Sequence, residues 1–219
     1  MHPEITTVVL NINGRNTSMV LGEQEKVLYG KGYIVDELMG MRFRISAKSF
    51  YQVNPIQTKH LYQGAISMAG LSGKERVLDA YCGTGTIGMI ASRDAKEVVG
   101  VELNRDAVRD AITNAKTNQV KDICFVCQDA TEYICKAAAK KENFDVVLMD
   151  PPRAGSTKEF IDSVIALAPE RVVYVSCNPQ TLARDLKWFR RGYKVEKMRP
   201  YDMFPLTDHC EVVCSLVRK

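Results

Sequence analysis

The chain has 219 residues, enough for one domain or one and a half, and its 46% hydrophobic and 26% charged residues are ordinary for a globular protein. A net charge of +4 and a pI near 8.6 permit a polyanionic partner without requiring one. Three features lead to the expectation of a cytoplasmic, membrane-free protein: no apolar run approaches the ~20 residues that span a bilayer, the start lacks the pattern of a signal peptide, and the seven scattered cysteines do not form a secreted disulfide framework.

In chain order, the first ~45 residues carry the short strand-like runs ITTVVLNING, NTSMVLG, KVLYGKGYIVDEL and MRFRISAKS, broken by Gly and Asn turns. They predict a small β-rich region, here bounded at 1–48, ahead of an α/β domain over 49–219. A helix follows in PIQTKHLYQGAISMAG. From residue 74 the strand-like runs ERVLDAY, EVVGVE, ICFVCQ, FDVVLMD and RVVYVSC alternate with helix-like stretches: TIGMIASRDA, NRDAVRDAITNAKTN, ATEYICKAAAKK and TKEFIDSVIALA. The strands are almost wholly apolar, as in a parallel sheet covered on both faces, so a doubly wound α/β fold is expected. YKVEKMRPYD and CEVVCSLVRK add two strands, expected to be antiparallel at one edge, for seven in all.

Two features have bland readings. The spacing Cys124-x-x-Cys127 suits a metal, but no second ligand pair accompanies it, so no metal site is expected. Cys210 and Cys214 read as core thiols of the last strand, and the basic run Arg184 to Lys194 reads more readily as a solvated helix face than as a nucleic-acid site.

The chemistry gathers where strands end. LDAYCGTGTIG joins the first α/β strand to its helix through glycines, as where a backbone turns sharply and approaches a ligand. With Asp79 and Tyr81 ahead of Gly83-x-Gly85, it resembles the first motif of class I S-adenosylmethionine methyltransferases. Glu102 ends the second strand, about 20 residues on, where a carboxylate accepts from both ribose hydroxyls; NAD enzymes place an acid there too. Asp129, after the third strand, is either a helix N-cap or an acceptor for an adenine amino group, and one side chain serves both. Asp150-Pro151-Pro152-Arg153 ends the fourth strand with a stiff loop that a dehydrogenase does not require. An exocyclic-amine methylase would place an aromatic where Arg153 stands.

The fifth strand ends at Ser176-Cys177-Asn178-Pro179. Taken alone, Cys177 is either an inert thiol or a nucleophile. Carbon 5 of a pyrimidine is too weakly nucleophilic to accept a methyl group until a thiolate adds at carbon 6, and a base must then remove the carbon-5 proton. Glu211 is the candidate base. SFYQVN (49–54), DAYCGTGTIG (79–88), DPPRAG (150–155), VYVSCNPQTLARDL (173–186) and DMFPLTDHCEVV (202–213) together resemble the ordered signatures of the RNA uracil-C5 methyltransferases, which make 5-methyluridine in transfer or ribosomal RNA. The resemblance runs from about residue 30 to the end. It implies a Rossmann-like methyltransferase fold, RNA as partner, S-adenosylmethionine as methyl donor, Cys177 as nucleophile and Glu211 as base. It assigns Gln52, Tyr81, Gly83, Glu102, Asp129 and Asp150 to donor binding. Arg153 and His209 fall within matched motifs, near the substrate or in support of the site. It also implies a catalytic-domain fragment without the TRAM β-barrel, with no iron–sulfur cluster, since no cysteine precedes Cys82. An RNA cytosine-C5 methyltransferase commonly has a second cysteine after its Asp-Pro-Pro-type motif, where this chain has Arg153 and Ala154. A non-catalytic binding module would be expected to lose the Cys177–Glu211 pair, and a dehydrogenase gives no role to Asp-Pro-Pro.

Overall fold

A computed structural model describes residues 2–14, 16 and 20–219; part of the predicted strand NTSMVLG lies outside the described residues. Its strands are β1 (Thr7–Ile12), β2 (Gln24–Gly30), β3 (Tyr33–Leu38), β4 (Met41–Ser46), β5 (Arg76–Ala80), β6 (Glu97–Glu102), β7 (Ile123–Cys127), β8 (Val146–Met149), β9 (Arg171–Ser176), β10 (Tyr193–Tyr201) and β11 (Glu211–Arg218). Its helices are α1 (Pro55–Ala69), α2 (Thr86–Ala91), α3 (Arg105–Thr117), α4 (Ala130–Ala139), α5 (Lys158–Leu167) and α6 (Pro179–Phe189). The last seven strands form one sheet, in the order β10-β11-β9-β8-β5-β6-β7. β5 to β9 are mutually parallel where they pair, and β11 runs antiparallel between β9 and β10. The expected seven-stranded, mostly parallel sheet with helices on both faces is therefore present.

Strand alternation explains why these runs are apolar throughout. Val146 and Leu148 face one core with α1 and α2, while Val147 and Met149 face the other with α4, α5 and α6. With both faces covered, neither parity can be polar. The chain leaves β5 for β6 and β7 on one side, then returns to β8 and β9 on the other. That reversal opens a crevice at the carboxyl ends of the strands, the usual ligand position in open α/β sheets.

Two hairpins precede the sheet. In β3–β4, Leu38, Met41, Phe43 and Ile45 enter the same core as α1 and α2. The outer edge of β4 is paired by side chains of α3. Asn114 accepts from the Arg44 N–H at 2.6 Å and donates to the Arg44 carbonyl at 3.2 Å, and Asn118 does the same to Arg42 at 2.8 and 2.7 Å. Asp110 accepts from the Ser46 N–H at 3.0 Å. Residues four apart on a helix thus meet alternate residues of a strand, and the amides close an edge that would otherwise be open. By contrast, every residue of β2 is exposed.

Cys214 is a core thiol, but Cys210 precedes β11 and is only half-buried. Cys124 and Cys127 lie three apart on β7, so their side chains point to opposite faces and do not converge on one ion. Among the described residues no cluster of three or more His, Cys, Asp or Glu forms a metal site, and no helix is long and apolar enough to cross a membrane.

Candidate functional site

The strand ends line up the predicted residues along one edge. Asp129 follows β7, Glu102 ends β6, Tyr81 and Gly83 follow β5, Asp150 follows β8 and Cys177 follows β9. Because β11 is antiparallel, its first residue, Glu211, lies at the same edge. At about 4.8 Å per strand the row spans roughly 24 Å.

The turn after β5 is built under strain. Tyr81 has φ +63°, a left-handed conformation that costs a non-glycine residue roughly 1–2 kcal/mol. The strain aims its side chain down the cleft, where the ring packs on Phe160 at 5.5 Å and the hydroxyl meets Ser156 at 3.2 Å. Asp79, 1% exposed, accepts from the Gly88 N–H at 2.8 Å, and a Cβ at Gly88 would sit 2.6 Å from that carboxylate oxygen. Glycine there lets the helix start close over the acid. Glu102 accepts from the N–H groups of Gly83 at 3.1 Å and Asn104 at 2.7 Å, which orients its carboxylate beside the glycine turn. Asp129 caps α4, accepting from the Glu132 N–H at 3.0 Å through Oδ1 and leaving Oδ2 for another donor.

The loop before α1 closes the cleft from above. Phe50 and Tyr51 line a narrow cavity with Tyr62, Asp79, Tyr81 and Asp150, about 30 Å³ in volume and water-sized. Gln52 follows them in the loop and is buried, outside the lining. Thr84 also lines the cavity, and its buried Oγ1 has no hydrogen-bond partner.

At the β9–β11 end, Ser176 pairs with Val212, so Cys177 and Glu211 are the next cross-strand neighbours. Such neighbours have Cβ atoms ~4.5–5.5 Å apart when a ladder continues. Glu211 is 8% exposed and its Oε2 has no partner. Cys177 is half-buried. Asn178 follows it and caps α6, which Pro179 begins, where a missing N–H costs little.

A second network holds the loop between them. Buried Asp185 on α6 accepts from the Ser156 N–H at 2.8 Å and the Tyr174 hydroxyl at 2.7 Å. Arg184 donates to the carbonyls of Ala154 and Ser156 at 2.9 and 3.1 Å, and Asn178 donates to the Arg153 carbonyl at 3.2 Å. The Arg153 guanidinium contacts the His209 ring. Arg184 lies on the exposed helix face expected of its basic run and also pins this loop. Neither Asp185 nor Asp79 was singled out as a site residue. The signal for Asp185 is only an acid inside an amphipathic helix, whereas Asp79 stands in the strand-end motif ahead of Gly83-x-Gly85 without a role of its own.

Electrostatics ties the two ends together. Burial, opposed by the Gly88 N–H and reinforced by Glu102, pushes the Asp79 carboxyl up to about 7. Burial, then Glu211 and Asp79, hold Asp150 well above its ordinary value. Burial also raises Glu211, against the pull of Arg153. The Cys177 thiol is raised by burial, Glu211 and Asp150, with Arg153 opposing. Crowded, poorly solvated carboxylates favour a cationic ligand, since an opposite charge relieves both desolvation and mutual repulsion.

Residues 8–219 match the family model for tRNA (uracil-5-)-methyltransferase. The chain belongs to that family. Relatives named as uncharacterized RNA methyltransferases in Caldanaerobacter subterraneus and Listeria innocua are 47% and 45% identical, each over 99% of this chain and 48% of the relative. The chain therefore spans about half the length of these curated relatives. The structure of the Pyrococcus abyssi tRNA (uracil-54, C5)-methyltransferase in complex with S-adenosyl-L-homocysteine superimposes with a TM-score of 0.79 at 30% identity, over 97% of this chain and 50% of that one. A putative S-adenosylmethionine-dependent methyltransferase of Streptococcus mutans, with a TM-score of 0.70 at 12% identity over 88% of this chain and 58% of its own, shares the fold alone.

Proposed function

We propose that this chain is the catalytic part of an S-adenosylmethionine-dependent RNA methyltransferase that methylates carbon 5 of a uridine. The observation that carries the reading is the register of β9 against β11, which makes Cys177 and Glu211 neighbours beside a pocket suited to a cation. Family membership and the Pyrococcus abyssi likeness support it.

The pocket residues fit the donor. S-adenosylmethionine carries a sulfonium and an ammonium, and the buried Asp79 and half-buried Asp150 are acids that a cation would stabilise. Tyr81 and the Gly83 backbone border the same space and Gln52 is buried behind its lining, the Glu102 oxygens keep lone pairs to accept from a ribose, and the free Asp129 Oδ2 suits an adenine amino group. When bound, S-adenosylmethionine supplies an electrophilic methyl group and is converted to S-adenosylhomocysteine.

The chain's own residues do the rest. The Cys177 thiol loses its proton to solvent and the thiolate adds to carbon 6 of the uracil. The carbon 5–carbon 6 π pair then becomes an enolate, which makes carbon 5 nucleophilic. Once carbon 5 carries the methyl group, the Glu211 carboxylate removes its proton. The re-formed enolate expels the Cys177 thiolate and restores the double bond. Arg153, whose charge favours both anions, positions the pair electrostatically. A uridine in folded RNA must be flipped out to reach this edge.

RNA carrying tritium at carbon 5 of uridine tests the assignment. Methylation at carbon 5 releases tritium to water in step with methyl uptake, whereas methylation at nitrogen or ribose oxygen leaves it in the RNA. Methyl uptake without tritium release contradicts the proposal, and release from carbon-5-labelled cytidine instead would favour the cytosine enzyme.

A further inference from the structure

A second cavity lies apart from the site described above. A groove of about 460 Å³ runs between α1 and the edge strand β10. One wall is alternate residues of β10: Lys197, Arg199 and Tyr201. The other is a row of α1 side chains at helical spacing, with His60, Gln63 and Ser67 exposed. Over its 15 residues α1 contains no Asp or Glu. The groove's one acid, Asp202, lies at its end.

The groove leads to the catalytic pair. Tyr201 pairs with Glu211 across β10–β11, and Cys177 is the next neighbour of Glu211 on β9. Tyr201 is thus one strand spacing, ~4.8 Å, from Glu211 and two from Cys177. The groove therefore opens onto the edge where the acceptor base reacts.

Its wall also holds an unpaired polar group. Tyr201 is 7% exposed, and its buried hydroxyl has no hydrogen-bond partner. It packs where α1 has Gly64; a Cβ there would sit 1.8 Å from the hydroxyl oxygen. The Arg199 guanidinium lies 5.6 Å from the Tyr201 ring centroid, so cation and aromatic share the wall. Edge strands often carry Lys, Arg and Pro simply to deter pairing with other chains. That role would not require the facing helix to be acid-free, nor the ring to be buried with its hydroxyl unmatched.

We propose that the α1–β10 groove binds the RNA strand adjoining the target uridine, through its phosphates. Lys197 and Arg199 neutralise phosphate charge, while Gln63, Ser67 and His60 donate to phosphate and sugar oxygens. Contacts of this kind fix register without reading sequence. The inference rests on the RNA reading above and adds the surface that presents the RNA.

The test uses the 219-residue chain, a 20-nucleotide single-stranded RNA containing one 5-fluorouridine, and S-adenosylmethionine. Affinity is followed by fluorescence anisotropy across a KCl series, and covalent trapping on denaturing gels. Each phosphate neutralised contributes ~0.7 to the salt slope for a single strand, so K197A/R199A should flatten the slope by about 1.4 and weaken binding roughly 10-fold at ~0.1 M salt. A comparison variant, K140A/K141A, removes the same charge from the exposed end of α4 and should leave the slope within ~0.3 of the parent. An unchanged slope in K197A/R199A, or an equal loss in K140A/K141A, overturns the groove assignment. A parent chain that neither holds RNA nor forms the adduct contradicts the proposed reaction itself, whatever the variants do.

Discussion

The two ends of the crevice are built on different principles. At the β5–β6–β8 end the polar groups are held by backbone: Gly88 holds Asp79, and Gly83 with Asn104 holds Glu102. Each contact lies within one strand–turn–helix unit or between adjacent units, and the cavity is narrow. At the β9–β11 end the key atoms are left free: Glu211 Oε2 has no partner and Cys177 is half-buried. That end is assembled across 34 positions of sequence by inserting one antiparallel strand, and beside it lies the Arg153 guanidinium, in contact with the His209 ring. The closed end suits a ligand held the same way at every turnover. The open end suits groups that form and break bonds with a large, variable partner.

Substitutions can break this contrast. The largest effect is expected from Glu211→Gln, which keeps shape and removes the base. Turnover should fall ~10²–10⁴-fold while a covalent protein–RNA complex accumulates on denaturing gels and S-adenosylmethionine affinity, measured calorimetrically, holds. Rapid turnover would remove Glu211 from the base role.

Arg153→Ala should move the pH profile of adduct formation to the alkaline side. The thiol lies above its ordinary value even with Arg153 opposing, so without that charge less thiolate exists at neutral pH. Each pH unit of displacement is about tenfold in rate at pH 7.5. A profile that does not move would show that Arg153 has no electrostatic influence on Cys177.

Asp79 gives a stability prediction. Its folded value of about 7 exceeds the ordinary 3.8, so between those limits the folded state binds more protons than the unfolded state. Its contribution to stability is therefore present below ~pH 4 and lost as pH rises toward 7. Thermal melts of the ligand-free chain should show this decline, and Asp79→Asn should flatten it; the remaining slope belongs to Asp150 and Glu211, which are raised in the same sense. An identical slope in Asp79→Asn would contradict the burial argument.

The smallest effect separates the two roles of Asp129. Asp129→Ala should cost ~1 kcal/mol through the lost cap, whereas Asp129→Asn should keep the melting temperature and weaken donor affinity alone, because only the second oxygen changes from acceptor to donor. Equal donor affinity in Asp129→Asn and the parent would leave Asp129 as a cap and nothing more.

Much of the closed end was legible in sequence because its contacts are local. A strand, a glycine turn and a carboxylate at the next strand end carry their geometry within ~25 residues. The open end was legible only through the ordered resemblance, since nothing local to TDHCEVV says that Glu211 meets Cys177. The expectation of an antiparallel edge pair came close, but it left open which of the two strands lies inside. β11 does, and that choice makes the pair. The groove was hidden for a related reason. A register shift between Val195 and Lys197 resets which residues of β10 face α1, so simple alternation along the strand misplaces Lys197 and Arg199. The β4 clamp was equally hidden, since Asp110, Asn114 and Asn118 read as an ordinary polar helix face until β4 is laid against them.

The central claim is that Cys177 forms a covalent bond to the acceptor base. Incubating the chain with S-adenosylmethionine and 5-fluorouridine RNA, then digesting both polymers, locates the attachment by mass spectrometry, because fluorine does not leave as a cation and the adduct persists. The expected result is a methylated fluorouridine on the peptide containing Cys177, absent from Cys177→Ala. An adduct on another cysteine, or one that survives in Cys177→Ala, would contradict it.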